Sequence, residues 1–509
     1  MDYIKKMSVL GIDLGTTGCK AAAYSKDGRC LAQAYREYGA VHPAAGRVEL
    51  DSREVWEKVR QVIREVAPKE GMGRDPITAL CVSSFGEAFV PVTKGREILG
   101  PSILNTDVRG AEYADALARD IGQEAFYRIN PNILGPQYSL PKLMWLRDHE
   151  PALFERADYF LFWADLVPFM LGCEPVAANS LANRALLFDL WKNDWSNKLL
   201  AWSGIERRKL GRIVAGGTVI GTVDDRAAAE LGLPRGVRVV AGGHDQCLNA
   251  LGAGCIGPGK AVCGIGTFEC ITPTYGEVAD PLRMLELRLN MEHHVLPGLY
   301  VSFLYHQAGS LVKWFRETFA AKDAAPAGTD IYAMLDREMP EAPTGLLALP
   351  HFDPPQWPAH VPDTSGVIAG LKSGTTRGEI LKAIMECETF YFADSLAALE
   401  KLGIETREFM ATGGGARSDA WLQIKADIFG VPFVRPKNTE GSLVGAAMLA
   451  GIATGVYGSA QEAVEVFVKR ERVFEPDAAR HAAYKEKLAL YRELFPSMRG
   501  LLSKLHHAL

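Results

Sequence analysis

Asp245 stands in the stretch Gly242-Gly243-His244-Asp245-Gln246. A carboxylate held in place is an adequate base for a hydroxyl whose proton leaves as a new bond forms. Two other stretches offer phosphate chemistry. Gly15-Thr16-Thr17-Gly18 follows an apolar run that ends at Asp13, and Lys20 comes just after it. Gly264-Ile265-Gly266-Thr267 repeats that shape about half a chain later. Glycine lets backbone N–H groups come close to phosphate oxygens, threonine adds neutral donors, and Lys20 would add a cation. Asp13 would hold Mg²⁺ through water. Singly, each stretch reads as an ordinary Gly-Thr hairpin; together they point to a two-sided phosphate clamp. Asp245 has a competing role as N-cap of a helix beginning near Cys247.

Two textual matches between these sites point elsewhere. Gly252, Gly254 and Gly257 spell a dinucleotide fingerprint, which needs a strand before it and a helix after it. Here a helical run precedes and a strand-like run follows, so the order is inverted. Gly254 to Lys260 resembles a Walker A loop, but Ala261 stands where a Mg²⁺-binding Ser or Thr is required. Both are expected to be helix-end and turn glycines.

The elements that must position these residues are visible as periodicity. Met7 to Asp13 and Lys20 to Tyr24 form one expected hairpin; Ala261 to Gly264 and Phe268 to Thr272 form another. Further strands are expected at Ala79 to Ser83, Arg238 to Ala241 and Glu408 to Thr412. Helices are expected at Ser52 to Val66, Lys142 to Asp148, Gly378 to Leu402 and Ser442 to Ala453. Alternation of the two types indicates an α/β protein, and the repeated hairpin indicates a duplicated architecture. Gly413-Gly414-Gly415 lies between a strand-like run and a helix-like one, Trp421 to Phe429. That context suits an adenosine contact, with Ser418 as N-cap.

With 509 residues the chain exceeds one ordinary core, so two domains are expected, 1–255 and 256–509. A net charge of −5 lacks the basic excess of a nucleic-acid binder. The nine cysteines include no C-x-x-C pair, which fits a reducing cytoplasm and argues against structural zinc. The N-terminal run reads as a strand with no signal peptide. The apolar stretch Tyr159 to Cys173 is interrupted by Asp165 and Pro168 and falls short of a bilayer span. It is expected to be a buried helix, and no membrane association is expected.

In this order, the motifs resemble the FGGY family of carbohydrate kinases. "GIDLGTTGCKAAAY" resembles its first phosphate motif and "CGIGTFECI" its second. "ATGGGARSDAWLQIKADIFGVPFVRP" with "EGSLVGAAMLAG" is similar to its adenosine motif, and "SLPKLMWLRDHE" and "GVIAGLKSGTTRGEILKAIME" to its two signatures. The resemblance runs from about Val9 to Gly455. It implies two ribonuclease-H-like domains of the actin and hexokinase type, with ATP in the cleft between them. It implies Asp245 as general base, and Asp13 and Asp245 approaching Mg²⁺ through its waters. Gly15, Thr16, Thr17, Lys20, Gly266 and Thr267 would hold the phosphates. Gly309, Lys313, Gly414, Gly415, Ser418 and Asp419 would lie at the adenosine, although other members often carry amides at Lys313 and Asp419. A homodimer or homotetramer would be usual for the family.

The family's acceptor loop corresponds to "LCVSSFGEAFVPV". Xylulose kinases share a Met-His pair there and glycerol kinases an Arg-Glu pair, whereas this chain has Gly86-Glu87. "SSFGEA" and "GGHDQ" resemble kinases of 6-deoxyketoses and deoxy-aldoses, such as rhamnulose and fucose. Glu87, His244 and Gln246 are expected at a small sugar or polyol, a ketose being favoured. Asp107 and Arg109 either touch that substrate or form a structural salt bridge. Competing classes are another actin-fold ATPase and a sugar-binding regulator without catalysis.

Overall fold

The computed structural model describes residues 7–67, 75–277, 280–323, 330–352, 355 and 361–508. Two mixed sheets organise the chain. The first contains β1 (Ser8–Leu14), β2 (Gly18–Ser25), β3 (Cys30–Glu37), β4 (Ile77–Ser84), β5 (Val219–Thr222) and β6 (Arg238–His244), in the order β5-β6-β4-β1-β2-β3. The second contains β7 (Gly259–Ile265), β8 (Phe268–Tyr275), β9 (Glu292–His293), β10 (Tyr300–Val301), β11 (Leu304–Gln307), β12 (Thr406–Thr412), β13 (Phe433–Pro436) and β14 (Arg470–Phe474). Its order is β9-β10-β8-β7-β12-β13-β14, with β11 also on β8.

The two sheets repeat one pattern. In each, a buried first strand pairs antiparallel with the second and parallel with a later strand: β1 with β2 and β4, β7 with β8 and β12. A further parallel strand follows, then an antiparallel edge strand, β5 or β14. β1 and β4 read as near-continuous apolar runs because both faces are covered. This is the two-domain ribonuclease-H-like fold expected from the motifs.

Seven helices matter for the site: α1 (Ser52–Val66), α2 (Asn179–Asn183), α3 (Asp245–Gly252), α4 (Gly309–Phe319), α5 (Arg377–Lys401), α6 (Asp419–Phe429) and α7 (Gly441–Ala453). α1 starts where Asp51 accepts the N–H groups of Arg53 and Glu54, and it buries Val55, Val59, Val62 and Val66. α7 shows no apolar stripe because it is buried on nearly every side. It comes from the second half of the chain yet packs on β1, where a Cβ on Gly11 would stand 2.3 Å from Leu443 O. It crosses α3 equally closely: a Cβ on Gly252 would lie 1.9 Å from Gly441 O, and one on Gly445 1.9 Å from Leu248 O. Only glycine permits two helix backbones to approach this far. The pair therefore fastens the two halves together directly behind Asp245.

One expectation needs correction. Tyr159 to Cys173 is not a single helix: Tyr159–Phe162 is a strand paired with Phe89–Val92, and the helix is only Trp163–Met170. Apolar content alone does not separate a buried strand from a buried helix, and here an available partner edge decided. All nine cysteines are free; Cys30 is exposed, Cys270 is half-buried and the rest are buried. Among the described residues, no helix is long and apolar enough to cross a membrane.

Candidate active site

The first glycine turn joins β1 to β2. Asp13 and Lys20 face each other across the ladder, one pair below Leu14 and Cys19, which adjoin the turn. Gly15 N–H donates to Gly18 O at 2.9 Å. Tyr38 fastens the turn from the side: its N–H donates to Thr17 O at 3.1 Å and its hydroxyl to Gly15 O at 2.6 Å. Thr16 and Thr17 are left exposed. Asp13 Oδ1 is buried and has no hydrogen-bond partner. Burial, and then the nearby Asp245 carboxylate, push the Asp13 carboxyl up to about 7, with the Ser83 hydroxyl and then Lys20 pulling against them. A buried carboxylate oxygen without a donor is what a hydrated cation would satisfy.

The second turn, Gly266-Thr267, joins β7 to β8 and docks on the start of α4. Gly309 N–H donates to Gly266 O at 3.1 Å, and Ser310 and Ala308 N–H groups donate to Thr267 O at 3.1 and 3.2 Å. Gly413 adopts φ +81°, and a Cβ there would stand 2.7 Å from Ile265 O. A Cβ on Gly415 would stand 2.3 Å from Ile265 Cγ2. The glycine cluster after β12 thus rests against the strand that feeds the second turn. Gly414 is open: a Cβ there would meet nothing within 4 Å. Ser418 caps α6, its Oγ accepting from Trp421 N–H at 3.0 Å.

A chain of contacts ties the two turns to one seam. Lys20 makes an ion pair with Glu440, whose neighbour Thr439 accepts the N–H of Gly413 at 3.3 Å. Ser442 Oγ donates to the backbone oxygen of Asp245 at 3.1 Å, and Asn249 Nδ2 donates to Thr412 Oγ1 at 3.2 Å. β6 ends at His244 and α3 begins at Asp245, so His244 occupies the N-cap position and Asp245 is the first helical residue. The N-cap position considered for Asp245 therefore lies one residue earlier, and the His244 side chain makes no capping hydrogen bond there. Burial raises the Asp245 carboxyl above its ordinary range, His244 opposes the rise, and Glu87 adds to it.

Glu87 follows β4 in a left-handed backbone conformation, φ +65°, unusual for a residue with a side chain. It is 7% exposed. Arg184, just past α2, donates from Nε to Glu87 Oε1 at 2.6 Å, and its Nη2 reaches the same oxygen. Arg184 Nη1 lies 3.8 Å from Glu292 Oε2, and Glu292 Oε1 meets His244 Nδ1 at 2.8 Å. His244 Nε2 is 3.4 Å from Asp245 Oδ1. Burial alone would depress the His244 imidazole, but Glu292 outweighs it and the net shift is upward. A continuous run of charges, Glu87–Arg184–Glu292–His244–Asp245, links the loop to the acid. Arg184 and Glu292 were not visible as site residues in the sequence. They lie 97 and 48 residues from their partners and sit in no motif.

Glu292 also accepts from Cys247 Sγ at 3.1 Å, and His244, Cys247 and Glu292 offer N, S and O atoms within 4.8 Å of one another. Residue spacing could not show this trio, since β9 brings Glu292 in from the second sheet. Three expected site residues are engaged elsewhere. Asp107 is 1% exposed, and its carboxylate is taken by Arg109 at 2.7 Å and Val48 N–H at 2.7 Å. Asp419 pairs with Arg435 at 2.7 Å and with Arg472. Lys313 is exposed, 3.8 Å from Glu317.

Comparison with known proteins covers most of the chain. The profile described as FGGY family of carbohydrate kinases, N-terminal domain, matches residues 8–252, and that of the C-terminal domain matches residues 272–454. The chain is 27% identical over 496 residues to the xylulose kinase of Bacillus subtilis, covering 97% of each chain. It is 26% identical over 513 residues to the autoinducer-2 kinase of Salmonella typhimurium, covering 97% of this chain and 95% of that one. Its fold superposes on the crystal structure of xylulose kinase from Rhodospirillum rubrum with a TM-score of 0.87 and 28% identity, over 97% of this chain and 99% of that one.

Proposed function

Since the chain belongs to the FGGY family of carbohydrate kinases and is an ATP-dependent sugar kinase, we propose that it transfers the γ-phosphoryl group of MgATP to a hydroxyl of a small ketose, with Asp245 as general base. A pentulose or 6-deoxyketose is favoured; relatives named xylulose kinase and autoinducer-2 kinase support an acceptor of that size. The observation that carries the reading is the alignment of three groups. Asp245 opens α3, the orphaned Asp13 oxygen belongs to a carboxyl near enough to feel the Asp245 charge, and the loop that carries Glu87 comes up to His244 at Nε2, the nitrogen that faces Asp245.

The acceptor hydroxyl would lie against Asp245, which takes its proton as the O–P bond forms. A modest base suffices because position, more than strength, sets this step. His244, oriented through Nδ1 by Glu292, turns Nε2 toward Asp245 at 3.4 Å and would favour its ionised form. Gln246 beside it would bind a sugar hydroxyl, as would Glu87. Gly15, Thr16, Thr17 and Lys20 would face the phosphates from one side, Gly266 and Thr267 from the other. Gly309, Gly414, Gly415 and Ser418 would frame the adenosine. Asp107, Lys313 and Asp419 have weaker claims, given their present partners. Mg²⁺ fits Asp13, with Asp245 near it, and supplies shielding of the phosphate charge when bound. The two halves, divided near residues 255 and 256, would close to exclude water and suppress idle hydrolysis.

The test is MgATP-dependent ADP release across ketoses, 6-deoxysugars, aldonates and polyols. An acceptor-dependent signal is expected, and Asp245→Asn should lower kcat by about 1,000-fold with the KM for ATP little changed. Equal turnover by the variant would remove Asp245 from the mechanism.

A further inference from the structure

We propose that Glu87 is an electrostatic selector: by occupying the guanidinium of Arg184 it makes the acceptor pocket accept neutral polyhydroxy compounds and reject sugar acids. This deepens the kinase reading and rests on it.

Arg184 is the reason. Its side chain is 13% exposed and is clamped between rings, 4.8 Å over Tyr138 and 5.7 Å over Phe303. A guanidinium is a planar fork whose paired N–H groups match the two oxygens of a carboxylate. Glu87 uses that fork end-on: Nε and Nη2 both converge on Oε1. Nη1 has Glu292 only at 3.8 Å, beyond hydrogen-bond distance. A fork of this kind beside an acceptor site is a ready receptor for a sugar acid, and Glu87 occupies it.

The loop is built to keep Glu87 there. Its backbone stays at φ +65°, a conformation that persists where surroundings impose it. The Ser139 hydroxyl donates to the Glu87 carbonyl oxygen, and a side chain at Gly86 would press on its neighbours. A Cβ on Gly86 would stand 3.2 Å from Arg184 Cγ and 3.3 Å from His244 Nε2. Glu87, Arg184 and His244 thus surround the space beside Asp245. Glu87, Glu292 and Asp245 stand against Arg184 and His244, and Lys142, in the pocket that Glu87 lines, gives its ammonium to the backbone oxygens of Asp107 and Pro136, so an incoming carboxylate finds no open guanidinium fork. A neutral hydroxyl meets acceptors. Specificity here comes from a repulsive element as much as from an attractive one.

The experiment compares kcat/KM for neutral ketoses with that for aldonates of matching length, in wild type, Glu87→Gln and the double variant Glu87→Gln/Arg184→Gln, at saturating MgATP. Wild type should favour neutral acceptors by at least about 100-fold, the size expected of a buried charge contact. Glu87→Gln should narrow or invert that ratio by about 100-fold, with a gain on aldonates that the double variant loses. Should Glu87→Gln fail to fold, wild type decides alone: aldonates should not compete with the neutral ketose, even at concentrations far above its KM. Wild type that uses aldonates as well as ketoses, or is competitively inhibited by them, overturns the selector and leaves the kinase intact. So does a folded, ATP-binding Glu87→Gln protein that loses ketose turnover with no aldonate gain. Absence of turnover with every acceptor defeats the kinase reading, and the selector with it.

Discussion

The hairpin β1–β2 and the hairpin β7–β8 occupy the same place in their sheets and are stabilised by opposite means. One pair down from the turn, the first hairpin carries Asp13 and Lys20 and the second the uncharged Gly264 and Cys270; the pairs that adjoin the turns are Leu14–Cys19 and Ile265–Glu269. The first turn is fastened by one aromatic side chain, Tyr38, and the second by the N-terminus of α4. Charge in the first hairpin faces the cleft, where Lys20 and Glu440 remain 31% and 41% exposed. Charge in the second lies behind the turn: Lys425 meets Glu269 at 2.7 Å with both side chains fully buried, and Glu388 stands close by with neither oxygen hydrogen-bonded. Duplication supplied one scaffold twice. The first copy keeps ionisable groups where a ligand can use them, while the second encloses them as framework.

That contrast can be broken most strongly at Lys425. Lys425→Met leaves Glu269 uncompensated in the core and should cost about 3–5 kcal/mol in denaturant unfolding, whereas Glu440→Gln should cost under about 1 kcal/mol. Equal costs would mean that the two ion pairs are equally solvated. The matched substitutions Asp13→Ala and Gly264→Ala come next. The first should lower kcat by about 100-fold; the second meets only ordinary contacts at 3.5 Å and should change kcat by less than about 3-fold.

Fastening by α4 is tested by Gly309→Ala, whose Cβ would stand 2.3 Å from Gly266 O. The turn must shift, and the KM for ATP should rise about 10-fold, while Tyr38→Phe, which deletes one hydrogen bond to the other turn, should raise it about 3-fold. The smallest effect concerns pH. Burial holds the Glu388 carboxyl well above its ordinary value, with Lys425 opposing and Glu269 adding. The folded state therefore binds a proton that the unfolded state releases above about 4.5. This group's contribution is complete below that pH and is lost as pH rises toward the folded value. Glu388→Gln should flatten the fall in stability between pH 5 and pH 8; an unchanged slope would show that Glu388 is ionised in the fold.

Both hairpins were legible because their signals are local. An apolar run, a glycine-threonine turn and a second apolar run specify strand, turn and strand wherever they occur, and α1 has the ends expected of it, with Asp51 as its cap and its valines at helical spacing. The inverted order around Gly254 ruled out a dinucleotide site for the same local reason: α3 precedes those glycines and β7 follows them. The acceptor side was less legible. Glu87 stood out as an acid in a glycine-containing loop, but nothing near it in sequence indicates Arg184. Tyr159 to Phe162 looked helical because its pairing partner, Phe89–Val92, lies far away in the chain.

By itself, the sequence determined the two glycine-threonine turns, the order of the motifs and the strand-to-helix junction at Asp245, since short-range sterics and hydrogen bonding settle each within a few residues. Tertiary structure decided which charges meet. It brought Arg184 to Glu87 across 97 positions and Glu292 to His244 across 48, and it laid α7 on β1 through glycines whose purpose appears only when two backbones touch. A buried ion needs its counter-ion within a few ångströms, and that distance is a property of the folded chain.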